Sequence, residues 1–162
     1  MKLKAGDKAP DFFLMTSDKH PVTNETIRGK RTLFLFFPAA FTSTCTKELC
    51  AVRDDISRYN NLKIDVFGIS TDMIYSLKKY KEEQQLNFPL ASDYNKDVTE
   101  AFGVAYESFN YGMKGVSKRS AFIIDEKGII QYAEVLENAS ELPDFEAIHR
   151  VITAMETANK SN

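Results

Sequence analysis

The chain has 162 residues, of which 43% are hydrophobic and 27% are charged, and its net charge is -2. This length predicts one domain, residues 1–162, with a sizeable core, and this balance favours neither nucleic acid nor an anionic membrane as a partner. No apolar run approaches the ~18 residues of a spanning helix, and the N-terminus lacks the apolar segment of a signal peptide, so we expect a cytoplasmic protein. In that reducing compartment, two cysteines indicate redox chemistry rather than a structural disulfide.

The first half of the chain predicts a β-rich N-terminal extension followed by a strand–helix–strand unit. Residues 1–31 alternate short segments with turn signals, which is typical of short antiparallel strands. Thr32–Phe37 is a continuous apolar run and predicts a central strand buried on both faces. A helix follows from Cys45 and ends at Asn60 and Asn61, and Ile64–Ser70 is the next strand. The apolar positions of this helix recur at spacings of three and four: Leu49, Val52, Ile56 and Tyr59.

The second half of the chain adds helices, an extended piece and a hairpin. The predicted elements, in order, are a helix from about Ile74 to Gln85 with Asp72 as its N-cap, an extended piece at Phe88–Ala91, a short helix at Asp97–Phe102, a hairpin of Ser120–Asp125 with Ile129–Val135, and a last helix from about Asp144 to Thr157. Pro89 restricts the extended piece to an edge or irregular strand, because proline has no N–H to donate. This order predicts an α/β fold with a central mixed β-sheet flanked by helices.

Both cysteines follow the predicted central strand, where the chain turns into a helix. The first of them, Cys45, comes three residues after Thr42 and seven after Pro38. The N–H groups at a helix N-terminus are unpaired and carry a partial positive charge, which favours an anion. A thiol at this position therefore becomes a thiolate more readily, and the thiolate is the nucleophilic form.

The spacing Pro-x-x-x-Thr-x-x-Cys, formed by Pro38, Thr42 and Cys45, resembles the active-site signature of the peroxiredoxins. The rest of the chain offers further matches to that family: Thr46 with Glu48, Gly6–Phe12, and Ser117–Asp125, which contains Arg119. The resemblance covers nearly the whole chain and implies a thioredoxin-like fold with an N-terminal β extension. It also implies a peroxidase that reduces hydrogen peroxide and alkyl hydroperoxides through a sulfenic acid on Cys45. No cofactor is expected, the reductant would be a thioredoxin- or glutaredoxin-type system, and a homodimer is allowed.

The same resemblance assigns roles to three residues around Cys45. Arg119 has a guanidinium that keeps its charge and presents several N–H donors, so it would stabilise the thiolate and contact the peroxide. Thr42 would donate to the thiolate or to a peroxide oxygen, and the alternative for Thr42 is a turn or N-cap role. Pro38 would shape the pocket wall and shield the thiolate.

Two charged residues of the predicted helix are candidates for a supporting role. Glu48 either offsets the helix dipole from the first turn or orients Arg119. Arg53, eight residues after Cys45, either supports the site from the second shell of residues or forms an exposed ion pair. The sequence leaves both pairs of alternatives open.

Cys50, the second cysteine, is the candidate to resolve a sulfenic acid on Cys45. The spacing of five residues resembles the bacterioferritin comigratory protein group of peroxiredoxins, in which both cysteines share a helix. An intact helix places the two Cα atoms about 8.6 Å apart, whereas a disulfide needs roughly 4.4–6.8 Å. Resolution by Cys50 therefore requires the helix to unwind locally. The alternative is a one-cysteine peroxidase, in which an external thiol attacks Cys45 and Cys50 is passive.

Other functions have less support in the sequence. The intact motif argues against a catalytically silent binding or chaperone-like module. A thioredoxin-type disulfide oxidoreductase would carry Cys-x-x-Cys, whereas the spacing here is Cys-x-x-x-x-Cys. Neither histidine, His20 or His149, is close in sequence to a cysteine, and a zinc site needs four clustered ligands, so no metal is expected.

Overall fold

Seven strands form one sheet in the computed structural model, which describes residues 2–160. The strands are β1 (Phe13–Thr16), β2 (Pro21–Thr23), β3 (Arg31–Phe36), β4 (Ile64–Ser70), β5 (Leu90–Ser92), β6 (Ser120–Ile124) and β7 (Ile130–Val135). The helices are α1 (Ser43–Asp54), α2 (Ile56–Asn61), α3 (Ile74–Glu83), α4 (Asp97–Ala101) and α5 (Phe145–Lys160). Across the sheet the strand order is β2-β1-β5-β4-β3-β6-β7.

Strand β3 lies inside the sheet and organises the core. It pairs in parallel with β4 and antiparallel with β6, and all of its residues are buried. Because side chains alternate along a strand, β3 contributes to both faces of the sheet. Leu33 and Leu35 pack in a cluster with residues of α1, α3 and α5, whereas Phe34 and Phe36 pack in a second cluster with residues of β1 and α4. The predicted mixed sheet with a buried central strand and flanking helices is therefore confirmed.

The predictions for the two ends of the sheet are also confirmed. Strands β1 and β2 form an antiparallel pair at one edge, which is the predicted N-terminal β extension. Strands β6 and β7 form the predicted hairpin at the other edge. The short helix predicted at Asp97–Phe102 is observed as α4, which ends one residue earlier, and Gly103 terminates it with a positive φ of 71°.

The prediction for Phe88–Ala91 was wrong, because β5 lies inside the sheet. This strand pairs with β4 on one side and with β1 on the other. Pro89 does not prevent this, because it precedes the strand and uses only its carbonyl, which accepts from the Gly68 N–H at 3.1 Å. The sheet therefore loses no hydrogen bond at Pro89, because the strand pairing requires no N–H from this residue.

The predicted helices differ from the structure at their ends. The helix after the cysteine motif starts at Ser43 and is interrupted at Asp55, so that it forms α1 and α2. Asp72 is not the N-cap of α3, since Met73 has that position. The last helix extends beyond the predicted Thr157 to Lys160. Among the helices of residues 2–160, none combines the length and the apolar character needed to cross a bilayer.

Candidate active site

A constrained turn leads from β3 into α1. Pro38 is buried two residues after the end of β3. The backbone N–H of Ala40 donates to the carboxylate of Asp72 at 2.8 Å, which ties the turn to the end of β4. Phe41 then has a φ of 67°, a left-handed conformation that costs a non-glycine residue on the order of 1 kcal/mol. The turn therefore fixes where α1 begins.

Cys45 is the third residue of α1 and is almost fully buried, with 1% of its surface exposed. It thus lies in the first helical turn, where backbone N–H groups have no partner within the helix. Arg119 adds two donors, because Nη1 and Nη2 each lie 3.4 Å from Cys45 Sγ. Two N–H groups of a permanent cation are therefore within hydrogen-bonding distance of the sulfur.

The register of the sheet brings Arg119 to this sulfur. Arg119 is the residue directly before β6, and in the pairing of β3 with β6, Ser120 lies opposite Phe36. Phe36 is the last residue of β3, so Arg119 lies beside the point where the chain leaves the sheet for α1. The predicted proximity of Arg119 and Cys45 is a consequence of this antiparallel register.

Glu48 supplies the carboxylate partner of Arg119. Its Oε1 accepts from Arg119 Nη1 at 2.6 Å, and both side chains are at most 1% exposed. Of the two interpretations of Glu48, the structure therefore supports the one in which Glu48 orients Arg119. The dipole interpretation was wrong, because Glu48 is the sixth residue of α1 and the first turn contains no acidic residue. Burial raises the pKa of Glu48 to about 7, although the charge of Arg119 opposes the shift.

Thr42 and Arg53 do not bind the sulfur in this structure. Thr42 has the N-cap position, and its single hydroxyl proton is donated to the carbonyl of Ala39 at 2.7 Å. Arg53 donates to the carboxylate of its neighbour Asp54 at 2.9 Å and to the carbonyl of Gln84 at 2.7 Å. These bonds of Arg53 thus match the ion-pair interpretation, and neither of them involves Cys45.

The two histidines lie outside this arrangement. His149 packs against Tyr59 with ring centroids 4.8 Å apart, and its Nε2 lies 3.5 Å from the carboxylate of Asp55. His20 is exposed in the turn between β1 and β2. Within residues 2–160, no group of three or more His, Cys, Asp and Glu side chains is arranged to hold a metal ion.

Comparison with known proteins identifies the family. The profile of the AhpC/TSA family matches residues 5–133. The chain belongs to this family, the peroxiredoxins. A putative peroxiredoxin of Mycobacterium tuberculosis is 39% identical over 135 residues, which are 82% of this chain and 85% of that protein. Peroxiredoxin Bcp of Escherichia coli is 39% identical over 132 residues, which are 80% of this chain and 84% of that protein.

Solved peroxiredoxin structures share the fold of this chain. Peroxidoxin BcpB from Mycobacterium tuberculosis superposes with a TM-score of 0.83 at 27% identity, and the match covers 94% of this peroxiredoxin and 98% of that chain. The reduced 2-Cys peroxiredoxin of Plasmodium vivax gives a TM-score of 0.82 at 25% identity, with 98% and 84% covered. The expected peroxiredoxin family and thioredoxin-like fold are therefore confirmed.

Cys50 of this peroxiredoxin lies on another side of α1 from Cys45. Its Sγ lies 3.7 Å from the side-chain carbonyl oxygen of Gln84, which follows α3. Both thiols are free, and α1 is continuous between them. The two cysteines therefore have the helical arrangement in which α1 must unwind locally before a Cys45–Cys50 disulfide can form.

Sequence reasoning missed three contributions to the site of this peroxiredoxin. The carbonyl of Ala139 accepts from Arg119 Nη2 at 2.9 Å. The hydroxyl of Tyr80 lies 2.8 Å from Thr46 Oγ1 and joins α3 to the first turns of α1. Asp72, expected as a helix cap, instead holds the turn before Cys45. A backbone carbonyl carries no signal in the side-chain sequence, whereas the polar end of a buried tyrosine does indicate a hydrogen-bond partner.

Proposed function

We propose that this peroxiredoxin reduces hydrogen peroxide and alkyl hydroperoxides with Cys45 as its nucleophile. Its family makes the protein a thiol-dependent peroxidase. The observation that carries the assignment to Cys45 is the pair of Arg119 N–H groups, each 3.4 Å from Sγ. The position of Cys45 in the first turn of α1 gives the same sulfur further stabilisation as an anion.

In the proposed reaction, the Cys45 thiolate attacks the terminal oxygen of the peroxide. An S–O bond forms while the O–O bond breaks, so sulfur is oxidised to a sulfenic acid and the peroxide is reduced. The departing alkoxide or hydroxide takes up a proton from solvent. Arg119 offers preorganised donors to the negative charge that develops on the oxygens.

Pro38 and Thr42 complete the proposed pocket. Buried Pro38 adjoins the turn and would exclude water from the sulfur. Thr42 would exchange its bond to the carbonyl of Ala39 for one to the bound peroxide. Catalytic hydrogen bonds often form only when substrate is bound, so the present bond to Ala39 is compatible with this role.

We also propose that Cys50 resolves the sulfenic acid. The Cys50 thiolate attacks the Cys45 sulfur, an S–S bond forms, and the sulfenic oxygen leaves as hydroxide and becomes water. This step requires the segment between the two cysteines to unwind, because α1 is intact. A dithiol of the thioredoxin or glutaredoxin type would then reduce the disulfide through a mixed disulfide.

Single-turnover kinetics test the assignment to Cys45. Cys45→Ser is expected to abolish the consumption of peroxide, while circular dichroism shows an unchanged fold. Cys50→Ser is the matched control, because it removes the other thiol of α1 and should leave the first oxidation step intact. Undiminished peroxide consumption by Cys45→Ser would reject the proposal.

One equivalent of peroxide tests the role of Cys50. The wild-type protein should form an intramolecular Cys45–Cys50 disulfide and lose amide-exchange protection across residues 45–52. In the alternative, an external thiol resolves Cys45 directly. That alternative would be supported by a sulfenic acid that dimedone traps in the wild-type protein, together with normal turnover of Cys50→Ser.

The remaining expectations stay predictions. They are the single domain over residues 1–162, the homodimer and the cytoplasmic location. Light scattering of the purified protein measures the oligomeric state, and a mass of one chain would reject the homodimer.

A further inference from the structure

We propose that Asn138 is a positioning residue for the peroxidase reaction, because the turn it builds holds the Arg119 guanidinium in place. The proposal rests on the function proposed above, in which Arg119 acts on the Cys45 sulfur and on the peroxide. It concerns the segment 136–140 between β7 and α5, which contributes the carbonyl of Ala139 to the site.

The guanidinium of Arg119 has one anchor at each terminal nitrogen. Nη1 donates to Glu48 at 2.6 Å, and Nη2 donates to the carbonyl of Ala139 at 2.9 Å. The third nitrogen, Nε, is buried and has no hydrogen-bond partner among the described residues. Apart from the contacts with Cys45 Sγ, these two hydrogen bonds therefore determine the plane of the guanidinium. The bond to Ala139 fixes the Nη2 side of the guanidinium, as the bond to Glu48 fixes the Nη1 side.

The side chain of Asn138 fixes the direction of the Ala139 carbonyl. Its Oδ1 accepts from the backbone N–H of Ser140 at 3.0 Å and from the Ser140 hydroxyl at 2.7 Å. The backbone carbonyl of Asn138 accepts from the N–H of Glu141 at 3.1 Å. Ala139 is thus enclosed in an asparagine-stabilised turn, a geometry for which asparagine is well suited.

Glu137 fastens this turn to the rest of the protein. Its carboxylate accepts from Lys118 Nζ at 2.8 Å, and its backbone carbonyl accepts from the hydroxyl of Tyr106 at 2.9 Å. The N–H of Leu136 donates to the carbonyl of Arg119 itself at 2.9 Å. The segment is therefore held in place at Leu136 and Glu137, and Asn138 orients the next peptide, whose carbonyl faces Arg119.

Asn138→Ala removes the side-chain acceptor and leaves the exposed segment otherwise unchanged. We expect the second-order rate constant of Cys45 oxidation by hydrogen peroxide to fall about 10-fold, since a displacement of about 1 Å at a reacting group costs up to roughly 100-fold. Asn138→Asp keeps an oxygen acceptor and should restore most of the rate. Asn110→Ala is the matched control, because Asn110 is an exposed asparagine of the neighbouring segment.

A double-mutant cycle with Arg119→Met separates positioning from a general structural effect. Asn138→Ala should change the rate by less than about 2-fold when Arg119 is already replaced, because there is no guanidinium left to position. An equal loss in both backgrounds would overturn the proposal, and so would an unchanged rate for Asn138→Ala in the wild-type background.

The same measurements distinguish this proposal from the function on which it rests. If Cys45→Ser still consumes peroxide, the proposed function fails. If Cys45 is required and Arg119→Met is slow, but Asn138→Ala reacts like Asn110→Ala, only the role of Asn138 fails. Circular dichroism and the unfolding midpoint of each variant show whether the fold is retained.

Discussion

Replacing Glu48 with glutamine removes a buried titratable group and preserves the shape of the side chain. Glu48 has no exposed surface, and only one of its carboxylate oxygens has a partner within the described residues, namely Arg119 Nη1. Burial raises the pKa of this carboxyl from 4.5 to about 7, and the opposing charge of Arg119 does not cancel the shift. The proton on Glu48 is therefore expected to dissociate near neutral pH in the folded protein.

The sign and size of the resulting pH dependence follow from linkage. Between about pH 4.5 and about pH 7, the folded protein retains a proton on Glu48 that the unfolded chain has released. The folded state binds more protons in this range, so its free energy of unfolding decreases as the pH rises. At roughly 1.4 kcal/mol for each pH unit, the decrease is about 3 kcal/mol across the range. Glu48→Gln does not titrate and lacks this contribution.

Urea unfolding of the reduced proteins at about pH 5 and about pH 8 measures the difference. Relative to Glu48→Gln, the wild-type protein should lose about 3 kcal/mol of its free energy of unfolding between the two values. Glu82→Gln, at an exposed position of α3, should follow the wild-type protein. Parallel changes in the wild-type protein and Glu48→Gln would refute the reasoning, because Glu48 would then titrate alike in the folded and unfolded states.

Two further substitutions test the contacts around α1. Arg119→Met should slow Cys45 oxidation by roughly 10²- to 10³-fold, the loss typical of donors aimed at developing charge, and stopped-flow kinetics with excess peroxide measures it; a rate within about 2-fold of wild type would make Arg119 structural. Tyr80→Phe removes the hydroxyl that lies 2.8 Å from Thr46 and should weaken the docking of α1 by about 1 kcal/mol. Amide exchange across residues 43–54 should then accelerate about 5-fold, whereas Tyr75→Phe, at an exposed position of α3, should have no effect.

The sequence predicted the elements whose pattern is decided locally. Strand β4 was predicted with its observed ends, Ile64 and Ser70, and β3 was displaced by one residue. In both strands, apolar residues with high β propensity predominate, so burial and β propensity agree. Arg119 was assigned through family resemblance, and the register of β6 against β3 gives the physical reason for its position.

The remaining features depend on contacts between distant segments. Because proline has no N–H, Pro89 predicted an edge or irregular strand. The strand pairing uses only the carbonyl of Pro89, and this follows from the position of β4 beside β5. The choice between the two interpretations of Glu48 depends on where α1 begins. The helix was expected from Cys45 but begins at Ser43, which places Glu48 in its second turn. Helix ends are set by caps and turns rather than by periodicity, so patterns define them poorly. The carbonyl of Ala139 is contributed by the backbone and has no residue signature at all.

The most direct test of the account is to locate the first oxidised atom. Cys50→Ser protein, mixed with less than one equivalent of hydrogen peroxide and quenched with dimedone within the first turnover, can be digested and mapped by mass spectrometry. A dimedone adduct is expected on the peptide that contains Cys45, in proportion to the peroxide consumed. Consumption of peroxide without an adduct on Cys45 would contradict it.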